Sequence, residues 1–196
     1  MPRWKPDAPE RLQTAALELF DMQGFERTTI AEIVQRAELT QRTFFNHFAD
    51  KREVLFGLSS ELQREIVREI EAGDDTLPPL DAVVRALEVV ADKMFENRRA
   101  VMARRYAVVA ANPELQEREL GKNAALTEAI AAVLQARCGD PETALLTAGA
   151  AMLAQQVAFR QWTRPGETRT LHDLLQDALG ALRTTVSPAT WRRSDR

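Results

Sequence analysis

The nine prolines of this chain fall at positions 2, 6, 9, 78, 79, 113, 141, 165 and 188, and the apolar residues between them recur with helical spacing. Proline removes a backbone donor and clashes with the preceding turn, so it marks where helices start and stop. Leu12, Ala15, Ala16, Leu19 and Phe20 form one apolar stripe, with Pro9 and Glu10 suited to its first turn and Gly24 to its end. Thr29-Ile30-Ala31-Glu32 reads as a capping box, followed by the stripe Ile30, Ile33, Val34 and Ala37. Thr40 caps a very short helix through His47. Asp50 with Glu53 predicts a further cap, opening one long helix over 50–72 that carries Val54, Leu55, Leu58, Leu62 and Ile66.

Residues 72–79 read as a loop, and Leu80, Val83, Val84, Leu87, Val90, Ala91, Met94 and Phe95 then resume helical spacing. Further helices are predicted over 98–111, 113–137, 143–162 and 171–182. Asn112-Pro113-Glu114 and Asp140-Pro141-Glu142 repeat one start signal: cap, proline, acid. No stretch sustains the period-two alternation of a strand. The expectation is an all-α fold of about nine helices. Residues 1–52 would form an N-terminal domain with a helix-turn-helix at about 29–48, residues 53–187 a second helical domain, and 188–196 a disordered tail.

Composition removes several classes of function. A lone cysteine, Cys138, excludes an internal disulfide framework, and with only His47 and His172 no metal site or cofactor is expected. No apolar run approaches the ~18 residues needed to cross a bilayer, and Met1-Pro2-Arg3-Trp4-Lys5-Pro6 lacks a signal-peptide core. A cytoplasmic protein with no membrane partner is expected. The formal charge of −3 argues against a uniformly basic, polyanion-binding surface. Even residues 1–55 hold eight basic and nine acidic side chains.

The two short capped helices change that picture. The second presents Gln41, Arg42, Thr43, Asn46 and His47. Gln, Asn and Arg make bidentate contacts with base edges, while Thr and His donate to phosphates. A helix of about eight residues, ~12 Å long, fits a major groove of about that width. Thr28 and Thr29 put hydroxyls and backbone donors at a helix start, and Lys51 adds a cation at the next one. The same residues also fit a solvated polar face between two core stripes.

Residues 28–37, then Leu39-Thr40-Gln41-Arg42-Thr43-Phe44-Phe45-Asn46-His47-Phe48 and Lys51-Arg52-Glu53, resemble the DNA-binding domain of the TetR/AcrR family of bacterial regulators, over roughly residues 8–56. That resemblance implies a homodimer whose N-terminal helices bind double-stranded DNA and whose divergent C-terminal domain senses a small molecule. It places Thr28 or Thr29, His47 and Lys51 near phosphates and Gln41, Arg42, Thr43 and Phe45 on the groove side, with Phe44 and Phe48 in the core; Thr40 and Asn46 complete the candidate DNA-binding set. Two departures stand out. Where such turns usually carry glycine the chain has Glu38, which predicts a strained or shifted turn. Phe45 stands where tyrosine is common, losing a hydroxyl but keeping a surface for a thymine methyl. Arg3, Trp4 and Lys5 would form either a minor-groove arm or a frayed terminus.

In the second domain, Met94, Phe95, Met102, Arg105, Tyr106, Met152, Phe159 and Trp162 would form an adaptable pocket lining if their helices converge, and a plain core otherwise. Arg98, Arg99, Arg104, Arg105 and Arg118 could hold an anionic head group. The run from Arg105 to Trp162 resembles actinobacterial family members associated with acyl-CoA-like effectors. Ala148 and Ala151, with Leu171, Leu174, Leu175 and Leu179, fit a four-helix bundle across a twofold axis, or an intramolecular pairing of the same helices. Taken together, the expectation is a ligand-responsive repressor, not an enzyme. It would bind a palindromic operator as a homodimer in the bacterial cytoplasm, at the nucleoid when bound, and be released by a small, largely apolar effector. The rival classes are a helical interaction protein and an all-α enzyme or carrier. No phosphate-binding glycine loop, paired metal ligands or Ser/His/Asp grouping supports the latter.

Overall fold

A computed structural model describes residues 7–186; the expected N-terminal arm at Arg3, Trp4 and Lys5 and the tail at 188–196 lie outside the described residues. The described residues contain nine α-helices and no strand: α1 (Ala8–Gln23), α2 (Ile30–Arg36), α3 (Gln41–His47), α4 (Ser59–Glu71), α5 (Pro79–Phe95), α6 (Arg99–Ala110), α7 (Pro113–Cys138), α8 (Pro141–Trp162) and α9 (Leu171–Val186). The fold is all-α.

The helix starts follow the local chemistry read from the sequence. Asp7 adds a cap that the sequence reading did not single out, its carboxylate accepting from the Glu10 N–H at 3.1 Å, and Gly24, at φ 85°, ends α1 with its N–H donating to the Phe20 carbonyl. Thr29 and Glu32 form the reciprocal capping box, Thr40 caps α3 by accepting from Thr43 N–H, and Asp140 caps α8 in the same way. A further reciprocal cap, Thr170 with Asp173, starts α9.

The chain divides into two compact units. The first takes residues 7–60 together with 101–122, and the second takes 61–100 and 123–186, so the division is not the one expected at 52/53. Val108, Val109 and Leu115 explain the difference in the first unit. They are buried in the same core as Leu12, Phe20, Ile33, Phe44, Phe48 and Val54, so the end of α6 and the start of α7 are part of that core.

The single helix expected over 50–72 is also corrected. Asp50 caps only one 3-10 turn, Glu53–Phe56, and α4 begins afresh at Ser59. Gly57 lies at the break. A Cβ there would meet the Gln13 side-chain amide and stand 2.9 Å from Phe48 Cε1, so the Gln13 side chain and the Phe48 ring would have to give way.

In the second unit α8 packs along α9, and α5 packs on both. The expected twofold-axis residues Ala148, Ala151, Leu171, Leu174, Leu175 and Leu179 are all buried within this one chain. The intramolecular pairing is therefore the one realised. A helix apolar nearly all round does not reveal by periodicity which side meets its own chain. The small side chains of α8 line the inner side, and Leu145, Leu146 (74% exposed), Leu153 and Val157 remain at the surface.

Candidate nucleic-acid interface

Residues 30–47 place two short helices around a tight turn, and the turn shows how Glu38 is accommodated. The expected shift does not occur: Glu38 takes φ 53°, the left-handed conformation usually given to glycine. Leu39 N–H donates to the Val34 carbonyl at 2.8 Å and Glu38 N–H to the Gln35 carbonyl at 3.1 Å. These two bonds are the Schellman pattern that closes a helix with one left-handed residue. Leu39, partly buried against the core, supplies its apolar contact. Arg11 of α1 then donates from Nη2 to the Ala37 carbonyl at 2.5 Å and lies 3.6 Å from the Glu38 carboxylate. Arg11 thus satisfies a helix-end carbonyl, a role that pattern reading missed because its partner is 26 residues away.

Helix α3 is anchored by Phe44, which is fully buried and meets Phe48 at 5.5 Å between ring centres. The opposite side carries Gln41, Arg42, Asn46 and His47, all exposed, and none has a hydrogen-bond or ion-pair partner among the described residues. Phe45 is 54% exposed and packs edge-on to Phe44. Thr43 is half-buried, its hydroxyl 2.9 Å from that of Thr40. The structure therefore brings Thr40, Gln41, Arg42, Thr43, Phe45, Asn46 and His47 onto one short helix and its cap.

Two expected phosphate residues are corrected. Thr28 is 1% exposed; its hydroxyl donates to the Gly24 carbonyl at 2.8 Å and accepts from Gln23, so it stabilises the α1–α2 loop. Lys51 Nζ donates to the carbonyls of Phe25 at 2.8 Å and Thr28 at 3.0 Å, reaches Glu26 O at 3.4 Å, and lies 4.1 Å from the Phe25 ring centre. Its three donors are thus turned inward on the same loop. Thr29 stays exposed, but its hydroxyl and N–H are engaged by Glu32.

The acidic residues that gave this region its unfavourable charge count are mostly paired. Glu18 meets Arg36 and Asp21 meets Arg104, both at 2.5 Å. Hydrogen bonds from the Thr29 backbone and hydroxyl hold the Glu32 carboxyl below its usual range. The Arg52 guanidinium does the same for Asp50, against some burial. Burial pushes the Glu53 carboxyl up, but hydrogen bonds from Arg118 and Lys122 outweigh it and the net shift is downward. Arg42 has no ion-pair partner among the described residues.

The expected pocket residues are divided between the two units. Met102, Arg105 and Tyr106 belong to the first unit, where Arg105 pairs with Glu119 at 2.9 Å and donates to the Leu55 carbonyl. Phe95, Phe159 and Trp162 do cluster in the second unit, with ring centres 5.6–6.4 Å apart, and Met152 is buried in its core. A cavity of about 30 Å³ in that unit is lined from α4, α5, α7, α8 and α9; of the expected set only Phe95 reaches it. Met94 is half-buried and does not line it. Among the described residues no group of three or more His, Cys, Asp or Glu could hold a metal ion, and no helix is long and apolar enough to cross a membrane.

Two capped helices about a Schellman turn, the second anchored by one buried aromatic and turning unpaired polar side chains outward, define a helix-turn-helix regulator. Comparison with known proteins specifies which. Residues 12–58 match the N-terminal domain of the tetR family of bacterial regulatory proteins, and residues 77–187, more than half the chain, match the MftR C-terminal domain. The chain belongs to the TetR family of transcriptional regulators. It is 29% identical over 195 residues to the HTH-type transcriptional regulator TcmR of Streptomyces glaucescens, covering 94% of this chain and 86% of that protein. It is 27% identical over 183 residues to the putative mycofactocin biosynthesis transcriptional regulator MftR of Mycobacterium tuberculosis, covering 91% and 89%. Its fold is similar to that of FadR, a TetR-family repressor from Thermus thermophilus solved with lauroyl-CoA, with a TM-score of 0.53 and 24% identity over 93% of this chain and 98% of that one. These relatives are regulators and not enzymes.

Proposed function

We propose that this regulator is a repressor that binds a palindromic operator as a homodimer and is released by a small, largely apolar effector. One observation carries the DNA reading: Gln41, Arg42, Asn46 and His47 are exposed together on α3 with no hydrogen-bond or ion-pair partner among the described residues. An unpaired guanidinium and two unpaired amides on a helix that fits the major groove are the groups that read base edges. Phe45 would meet a thymine methyl or a sugar, and Thr29, Thr40, Thr43 and His47 would face the backbone.

The dimer reading moves from the buried residues to the outer side of α8. Leu146, Leu153 and Val157 recur along one side of the helix and stay exposed, an apolar strip that a second copy would cover. Such a dimer would present its two α3 helices to successive major grooves about 34–36 Å apart. Effector binding would act through α4, whose Leu62 and Ile66 line the cavity, by favouring a state with a different spacing. An acyl-CoA, bound by FadR in its solved complex, is one effector class to compare. The site of action would be the bacterial cytoplasm, at the nucleoid when bound. The test is a gel-shift titration on DNA upstream of the protein's own gene. Wild type binds, and Arg42→Ala loses roughly 1–3 kcal/mol per base-reading contact; unchanged affinity removes Arg42 from the reading.

A further inference from the structure

We infer that the effector is an uncharged, apolar molecule with a single hydrogen-bonding group, a carbonyl or hydroxyl, recognised by Gln155. This rests on the reading of the second unit as an effector domain. The cavity there is lined by nine apolar side chains and one polar one, Gln155 of α8. No Lys, Arg, His, Asp or Glu lines it. An ion placed there would lose its hydration with no countercharge to replace it.

Four of the five arginines that could have held an anionic head group are occupied elsewhere, and the fifth, Arg98, is not free either. Arg99, in the second unit, donates to the carbonyls of Glu167 and Arg169 and lies 5.2 Å from the centre of the Trp162 ring. Arg104, Arg105 and Arg118 are in the first unit and pair with Asp21, Glu119 and Glu53. A phosphorylated carrier such as coenzyme A therefore meets no waiting cation at this cavity.

Gln155 is the complementary observation. Its amide has no hydrogen-bond partner among the described residues, although it carries two donors and an acceptor and is half-buried. A ligand carbonyl would accept from its NH₂ group, or a ligand hydroxyl would donate to its oxygen. At about 30 Å³ the cavity is much smaller than a drug-sized site, so a ligand enters by displacing side chains. Leu62, Phe95 and Gln155 are the half-buried members of the lining, while the others are buried.

The test uses the full-length protein and Nile red, an uncharged dye that carries a carbonyl. The expected result is one saturable site per chain, displaced by 1-decanol and not by equal concentrations of lauroyl-CoA or decyltrimethylammonium. Gln155→Leu weakens Nile red binding roughly 3- to 10-fold, as loss of one hydrogen bond predicts, while leaving ligand-free DNA binding unchanged. The charge series in wild type decides the matter even where the variant folds poorly. Tighter binding of lauroyl-CoA than of decanol, no saturable Nile red site, or equal Nile red affinity in wild type and Gln155→Leu overturns the inference. Failure of wild type to bind upstream DNA overturns the regulator reading, and this one with it. Intact DNA binding with any of the former outcomes overturns this one alone.

Discussion

On α3 the exposed side chains Gln41, Arg42, Asn46 and His47 are polar and unpaired, whereas on α8 the exposed side chains Leu145, Leu146, Leu153 and Val157 are apolar and uncovered. Both helices bury their opposite sides, α3 with Phe44 and α8 with Ala148, Ala151, Met152 and Trp162. The difference lies in what each outer side leaves unsatisfied. Water solvates the α3 groups well, so they gain from a partner only where it matches them donor for acceptor, which is specificity. Water solvates the leucines poorly, so they gain from any complementary apolar surface, which is affinity without much direction. A regulator that must read a sequence and hold two copies together needs one surface of each kind.

The strongest way to break this comparison is to charge the apolar side. Leu146→Glu with Leu153→Glu removes about 4–8 kcal/mol of apolar burial per dimer. Sedimentation should then report monomers whose helix content is unchanged; a persistent dimer places the interface elsewhere. Next comes Arg42→Ala, at roughly 1–3 kcal/mol for each base-reading contact. It should weaken operator binding while leaving dimerisation and thermal stability as they are, which separates the two surfaces.

A smaller effect sharpens the reading of the turn between α2 and α3. Glu38→Gly relieves a left-handed non-glycine residue and should stabilise the first unit by up to about 1 kcal/mol. The exposed pairing with Arg11 offsets little of this. A loss of stability on denaturant titration would mean that the Arg11–Glu38 pairing matters more than the backbone.

The smallest effect is that of mild acid. Glu32, Asp50 and Glu53 all titrate below their ordinary values in the folded chain, and Glu167 falls to about 2. Groups with depressed folded values contribute stability that is fully present above their unfolded values, near 4, and lost as pH falls through the folded ones. The melting temperature should owe no loss to these groups between pH 7 and 5, and should drop below about pH 4. The apolar contact at α8 should not follow that titration.

How much of this was legible in the sequence depended on whether the cause was local. Thr29, Thr40 and Asp140 cap helices as their spacing indicates, because a cap and its partner lie three residues apart. The polar side of α3 was readable for the same reason, since one buried aromatic, Phe44, orients a helix of two turns. Thr28 and Lys51 were misplaced because their partners, Gly24 and the carbonyls of Phe25 and Thr28, are set by the shape of a loop. The closeness of Gln13 and Phe48 to Gly57 is likewise set by segments from elsewhere in the chain. On α8, small and large apolar residues occur on every side, so nothing in the pattern said that Ala148 and Ala151 face inward and Leu146 outward. The division of the expected pocket residues between the two units was hidden for a related reason. Met102, Arg105 and Tyr106 follow helical spacing as well as Phe95 does, yet α6 from Val101 onward belongs to the first unit.

The most direct test of the central claim is the salt dependence of binding to upstream DNA, measured by fluorescence anisotropy for wild type and for Gln41→Ala with Arg42→Ala. With a net charge of −3 the protein has little general attraction for a polyanion, so binding should be confined to the matched site. Affinity for that site should fall steeply and linearly in log–log terms as salt rises, and the double variant should lose preference for it over scrambled DNA. Equal binding of the operator and scrambled sequences, or a double variant that discriminates as wild type does, would contradict the assignment of sequence reading to α3.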